Sequence, residues 1–344
     1  MSKISTTAAM IDSYTNTAIK NYVKSHDEST YFPKEMWDEL TNEMDIFLPI
    51  LSEENHTLSS DFITFIRKIA NEFAALSAIL LTQGCYGIYS ILNFGTAEQK
   101  ELYLEKLLKG QYIGGLGFCE YKHLKGLEDL ETYATKTEQG WCLSGKKAMI
   151  SNSSVADILL VLAKVKEQGK VEKYGLFIVD PKDSDVLIGE QIEKPGLIGL
   201  PLSSVTLKNV LLPENALLGD ELAGDVQFAN IIKNMQLGLS AIALGVAEGA
   251  FNKGIEFAKV RRGFGKRLID VEIHQNKFAD LYNKLCSAEA YFASYPSQIE
   301  EDAKFVSRIK LYTTKVAIEI SDEILRLIGP LQKFDKVNIK RYLK

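Results

Sequence analysis

The sequence predicts a mainly helical α+β protein in three parts. A helical domain spans residues 1–113, a small antiparallel β-sheet or barrel 114–221, and a helical bundle of four-helix type 222–344. Three observations predict it. Apolar residues recur at three- and four-residue steps before residue 110 and again after 222, the period of a helix with one buried face. Between these regions, short runs rich in β-branched and aromatic residues follow one another, separated by turn residues. The intervals between those runs leave no room for crossover helices, which favours antiparallel pairing over a parallel α/β sheet.

Composition excludes several function classes. The chain has 344 residues, with 40 Lys and Arg against 45 Asp and Glu, a net charge of −5. A surface that neutralises nucleic-acid phosphates needs a basic excess, so no nucleic-acid partner is expected. Cys85, Cys119, Cys142 and Cys286 form no CxxC pair, so neither a disulfide framework nor a zinc cluster is expected. His26, His56, His123 and His274 lack metal-ligand spacing, and His26 and His56 sit among polar residues. The first residues, MSKISTTAAMIDSY, hold no basic region followed by an apolar run. No apolar run reaches the roughly 18 to 20 residues that cross a bilayer, so no membrane partner is expected and the cytoplasm is the expected compartment.

In the first part, Phe62, Phe65, Ile66, Ile69, Phe73, Leu76, Ile79 and Leu80 mark one buried helical face. Pro33 suits the first turn of a helix carrying Met36, Trp37 and Leu40. Residues 97–109 form a short amphipathic helix, N-capped by Thr96 and stopped by Gly110. The strands expected next are Tyr112–Cys119, Glu131–Thr137, Trp141–Ser144, Asp157–Val165, Tyr174–Val179, Val186–Ile192 and Val205–Leu211. No GxGxxG accompanies them, so a Rossmann site is not expected. In the third part, Leu237–Ala247 is uncharged and apolar all round, the pattern of a helix buried on every side. Two further helices carry Phe278, Leu281, Tyr282, Leu285 and Ala288, then Phe305, Ile309, Tyr312, Val316 and Ile320.

Four local motifs occur in order along this pattern. Gly95-Thr96-Ala97-Glu98-Gln99-Lys100 with Tyr103-Leu104 and Gly110 resembles "GteeQk..yL....G". Leu143-Ser144-Gly145-Lys146-Lys147 with Ile150-Ser151-Asn152 resembles "l.G.K.wItN". Leu207-Asn209-Val210-Pro213 with Leu218-Gly219 resembles "F.nV.VP..n.lG", and Arg261-Arg262-Gly263-Phe264-Gly265-Lys266 resembles "R..FGk". Together they resemble the acyl-CoA dehydrogenases, flavin-dependent enzymes that oxidise acyl thioesters between Cα and Cβ. The resemblance runs from about residue 10 to the last residue. It implies FAD as cofactor, and as substrate an acyl thioester of CoA or of an acyl carrier protein. It also implies a homodimer or homotetramer, and it leaves the electron acceptor unassigned.

The resemblance assigns flavin-side positions one at a time. Where the family has "TEP" against the pyrimidine side of the flavin, this chain has Phe118-Cys119-Glu120-Tyr121 and keeps only the Glu. Where "GSD" reaches the phosphates it has Leu124-Lys125-Gly126, and Lys125 is either a phosphate contact or a solvated loop lysine. Met149 and Ser151 stand for the family's Trp and Thr beside the isoalloxazine; Ser151 keeps a hydroxyl for flavin N5. Arg261 resembles the arginine that pairs with the pyrophosphate of a neighbouring subunit's flavin, with a surface charge pair of Arg261 and Arg262 as the alternative. Phe264 sits where the family packs an aromatic near that cofactor. Glu272 replaces a Gln near the adenosine half, and Arg326 with Ile328-Gly329-Pro330 replaces "Q..GG.G". Cys119, four residues from His123, reads as a packing residue rather than a nucleophile.

Dehydrogenation needs a carboxylate to take the Cα proton. In most relatives it lies in a "YEGT" segment after "RDak", and this sequence reaches Lys344 where "RDak" would begin, so that segment is expected beyond Lys344 or absent. Relatives with an earlier Glu beside an Arg place them where this chain has Met235 and Gln236; Glu248 is more than three helical turns further on. Three readings follow: an acyl-thioester dehydrogenase with an unassigned base, a flavin monooxygenase on the same fold, and a catalytically silent homologue.

Overall fold

The structure, a computed structural model, describes residues 3–26, 31–52, 57–122, 126–165, 173–263, 265–295, 304–328 and 342. The first part holds α1 (Lys3–Tyr14), α2 (Lys20–His26), α3 (Lys34–Asp38), α4 (Ser60–Ala70), α5 (Ala74–Thr82), α6 (Ser90–Phe94) and α7 (Ala97–Leu108). Pro33 stands at the N-cap of α3, one position before the expected first turn. Thr96 and Gln99 close a capping box on α7, and Gly110 ends it with φ 65°.

The expected face from Phe62 to Leu80 is split between α4 and α5 and, except for partly buried Phe73, is buried. A π-helical segment, Gln83–Tyr89, joins α5 to α6, so Ala74–Phe94 forms one 21-residue helical stretch. This corrects the expectation that no stretch is long enough to cross a membrane. Ser77, Thr82, Gln83 and Ser90 interrupt the apolar run in the sequence without breaking the helix, and 94% of its most apolar 18-residue window is buried inside the protein.

All seven expected strands form: β1 (Gly114–Gly117), β2 (Tyr133–Thr137), β3 (Gly140–Ser151), β4 (Ile158–Val165), β5 (Lys173–Val179), β6 (Val186–Gln191) and β7 (Leu202–Pro213). They join in the order β1-β4-β2-β3-β7-β6, with β5 on β4. The fold class stands, but the sheet is mixed: β4 runs parallel to both β1 and β2. The intervening β2–β3 hairpin serves as the crossover, so a parallel pair forms here without a helix. Strand β4 is buried on both faces. Ile158, Leu160 and Leu162 join the core shared with the helices, while Leu159, Val161 and Ala163 join a second core with Trp141 and Phe177.

The third part holds α8 (Gly224–Val260), the hairpin β8 (Arg262–Gly263) and β9 (Lys266–Arg267), α9 (Glu272–Ala293) and α10 (Phe305–Ile328). The expected faces of α9 and α10 are buried, except that Tyr282 and Tyr312 are exposed. Leu237–Ala247 is enclosed within this one chain. A Cβ on Gly238 would lie 2.2 Å from Leu81 Cδ1 on α5, and one on Gly245 would lie 2.2 Å from the Arg67 carbonyl oxygen on α4. The burial of this segment therefore does not require a second subunit.

Gln83 fastens the first part to the sheet. Fully buried, it donates to the Leu107 and Tyr112 carbonyls at 2.8 and 2.9 Å and accepts from the Gly114 N–H at 2.7 Å. Gln83→Leu leaves the Tyr112 carbonyl and the Gly114 N–H buried without these partners, at about 1 to 3 kcal/mol each. Chemical denaturation should show a loss of about 3 kcal/mol; a loss below about 1 kcal/mol would contradict the assignment.

Candidate functional site

The site grows from an irregularity in β3. Between the pairs Lys147↔Val205 and Ile150↔Ser203, β3 advances three residues while β7 advances two. The extra residue is a β-bulge, and it resets which side chains face inward. Lys147 points in and is buried, whereas Met149 points out and is 51% exposed. At the bulge the Ala148 N–H leaves β7 and donates to the Cys119 carbonyl at 2.8 Å. The segment after β1 is thereby held against β3 at the Cys119 backbone, and this junction with the stretch that carries Met149 and Ser151 forms a ledge.

Beneath the ledge lies an ion pair. Lys147 Nζ donates to Glu120 Oε1 at 2.8 Å, and the two side chains are 0% and 3% exposed. Glu120 also accepts the backbone N–H groups of Glu131 and Thr132, at 2.7 and 3.0 Å. Burial pushes the Glu120 carboxyl up, but the Lys147 ammonium and these hydrogen bonds outweigh it and hold the group below the ordinary carboxylate range. Burial pushes the Lys147 ammonium down to about 8, against the opposing pull of Glu120. Burial also raises the Cys119 thiol, with Lys147 pulling the other way, so a neutral thiol faces the ledge. That agrees with a packing role.

The expected site residues divide into those the fold gathers and those it does not. Phe118 does not lie on the ledge; its ring packs 5.1 Å from Phe228 of α8 and 6.4 Å from Tyr86 of the π-helical segment. Arg261 is the C-cap residue of α8, half-buried, and its guanidinium makes no ion pair or hydrogen bond with the described residues. It opens a cationic hairpin with Arg262, Lys266 and Arg267, of which Arg267 is held by Asp270 at 2.7 Å. Arg326 pairs with Asp322 one turn earlier at 2.8 Å, so its charge is engaged within its own helix. Glu272 is exposed at the first position of α9. Lys125, Phe264, His56, His123, Gly329, Pro330 and Lys344 lie outside the described residues.

Met235 on α8 is buried, and the Gln236 amide oxygen accepts from the Ser307 hydroxyl at 2.9 Å. Glu248 is engaged elsewhere, paired with Arg67, which also holds Glu289. Sequence reasoning missed the partnership of Lys147 with Glu120. Its signal was a lysine and a glutamate retained inside two separate flavin-side motifs.

A flavin fits these residues. Met149 offers a half-exposed thioether on a strand whose neighbours Ala148 and Ile150 are buried. The Ser151 hydroxyl makes no hydrogen bond to a described residue and is free to donate. An apolar wall with one donor suits the edge of a planar heterocycle, and an arginine without a carboxylate suits a phosphate.

The Glu120 shift fixes a pH dependence. A carboxyl whose pKa is lower folded than unfolded adds stability in full above its ordinary 4.5 and loses it as pH falls through the depressed value. Glu120→Gln strands the Lys147 ammonium and should cost about 3 kcal/mol at neutral pH. The gap from the unmodified protein should close in acid, below about pH 4.5. Denaturation curves that differ by the same amount at pH 3 and pH 7 would contradict this.

Comparison with known proteins accounts for nearly the whole chain. Models of the N-terminal, middle and C-terminal domains of acyl-CoA dehydrogenase match residues 4–111, 115–210 and 226–342. The 3-(aryl)acrylate reductase of Clostridium sporogenes is 28% identical over 273 residues, covering 78% of this chain and 72% of that protein. Benzylmalonyl-CoA dehydrogenase of Aromatoleum aromaticum is 26% identical over 325 residues, covering 92% and 85%. Butyryl-CoA dehydrogenase from Megasphaera elsdenii superposes with a TM-score of 0.89 at 23% identity, covering 100% of this chain and 92% of that one. Relatives of this kind are FAD-dependent oxidoreductases acting on CH–CH groups, and they do not favour the monooxygenase or silent-homologue readings. The chain belongs to the acyl-CoA dehydrogenase family.

Proposed function

We propose that this chain is a FAD-dependent oxidoreductase that oxidises an acyl thioester, carried by CoA or by an acyl carrier protein, between Cα and Cβ. The observation that carries the reading is the ledge: the β3 bulge seats the Cys119 carbonyl on the Ala148 N–H and leaves Met149 half-exposed two residues from the Ser151 hydroxyl. The chemistry supplied by bound FAD is acceptance of the hydride that leaves Cβ. Met149 and the neutral Cys119 thiol would keep water from one side of the ring, and Ser151 would hold a hydrogen-bond donor toward its edge. Arg261 would hold the pyrophosphate.

The base for the Cα proton is not on α8. Its acids among the described residues are Asp225, Glu248 and Glu256, and the position that relatives use holds Met235. Met235→Glu combined with Gln236→Arg should therefore quicken flavin bleaching by a saturated acyl thioester under nitrogen. A newly positioned general base contributes about 10²-fold or more. An unchanged rate in a double variant that retains FAD would count against α8 lying over Cα.

We also read the protein as a homodimer or homotetramer in the cytoplasm. Its four free cysteines support a reducing compartment. Helix geometry supports the assembly. Phe228, which touches Phe118 beside the ledge, is separated from Arg261 by 33 residues of one helix. At 1.5 Å per residue that is about 50 Å, far beyond the reach of a single dinucleotide. An Arg261 that binds pyrophosphate must therefore bind that of another copy. Arg261→Ala should weaken FAD binding by about 1.5 to 3 kcal/mol, and Arg262→Ala by much less. Equal retention of FAD in the two variants, or a stable monomer near 38.4 kDa by light scattering, would overturn this part of the reading.

A further inference from the structure

We propose that Lys147 and Glu120 are positioning residues for the cofactor, their buried ion pair fixing the two segments of the ledge against each other so that the wall they offer the flavin keeps one geometry. The proposal rests on the reading that FAD binds at the ledge. One segment carries Cys119; the other is the stretch of β3 that carries Met149 and Ser151. Their backbones are joined by the hydrogen bond from the Ala148 N–H to the Cys119 carbonyl, at 2.8 Å. The Lys147–Glu120 bond ties the same two segments through side chains, each partner being the chain neighbour of a residue in that backbone bond.

Its placement leaves little slack. Glu120 draws together the Lys147 ammonium and the N–H groups of Glu131 and Thr132, so one carboxylate joins β3, the chain entering β2 and the segment after β1. A Cβ on Gly117 would lie 3.1 Å from Lys147 Cγ, so the lysine stem runs in a slot that only glycine leaves open. The bulge sends Lys147 inward and Met149 outward two residues apart, so the ion pair anchors the same stretch of β3 that carries the ledge. Tyr121 extends the same tie, its ring 4.7 Å from the Lys146 ammonium.

Stability alone does not explain the pair. Replacing a buried ion pair by apolar side chains of similar volume is often neutral or stabilising, because the desolvation of two charges offsets their attraction. A charged pair does supply a fixed geometry, and a binding site needs its contacting residues held by such supports. The pair therefore predicts a separation between folding and cofactor geometry that a purely structural role would not produce.

The test compares the unmodified chain with Lys147→Met/Glu120→Leu, reading the apoprotein melting temperature, the FAD Kd from fluorescence quenching and the visible circular dichroism of bound FAD. The double variant should keep its melting temperature within a few degrees while its Kd rises at least tenfold and the visible dichroism changes. A folded double variant with unchanged Kd and dichroism overturns the proposal. If the double variant does not fold, Glu120→Gln decides: it keeps the side chain's length and one acceptor oxygen, enough for the Thr132 N–H, but not the charge. A tenfold rise in its Kd supports the positioning role, and an unchanged Kd overturns it. Failure of the unmodified chain to bind FAD overturns the functional reading and this proposal together; binding with indifferent variants overturns only this one.

Discussion

The structure depends on a contact between two backbones. A Cβ on Gly114, the first residue of β1, would lie 2.8 Å from the Cα of Gly87, so the π-helical segment and the strand touch with no side chain between them. Gln83, one helical turn earlier, spans the remaining gap with three hydrogen bonds. A wider π turn and glycines on both sides are what permit the approach. It fixes β1 against the helical part, and β1 leads within three residues of its end into Cys119 and Glu120. The position of the ledge is therefore inherited from a packing event in the N-terminal domain.

Much of this was legible in the sequence, for identifiable reasons. The capping box at Thr96 and Gln99, the faces of α4 and α5, and all seven strands announce themselves through local chemistry and periodicity. Features set by long-range partners were not legible. The parallel pairing of β4 with β1 and β2 depends on which hairpin acts as the crossover, and no local pattern encodes that. Tyr282 and Tyr312 match the helical period yet remain exposed, because periodicity gives a direction around a helix but not the width of what covers it.

The candidate site was half legible. Motif spacing named Cys119, Met149, Ser151 and Arg261, and the fold bonds the Cys119 backbone to the stretch of β3 that carries Met149 and Ser151. It gives Phe118 a different task, in a ring cluster with Phe228 and Tyr86, because the residue before the ledge faces the helices rather than the cofactor side. Arg326 stands in a segment that resembles a flavin-side motif, but an aspartate one turn away engages its charge. A sequence shows which charges exist; only the fold shows which are already neutralised. By that criterion Arg261 remains the arginine of interest.

Helix α8 links these parts. Glycines at 238 and 245 let its backbone lie against α5 and α4, so its course is set by contacts along its length rather than at its ends. One rigid element thus carries Phe228 beside the ledge and Arg261 at the opposite end. If Arg261 serves a partner's cofactor, a two-fold pair must present the Arg261 end of each α8 to the Phe228 end of the other. That exchange is isologous, since each copy gives what it receives, and it closes after two subunits. Each cofactor would then be held by a ledge from one chain and an arginine from the other, which ties cofactor binding to assembly by geometry.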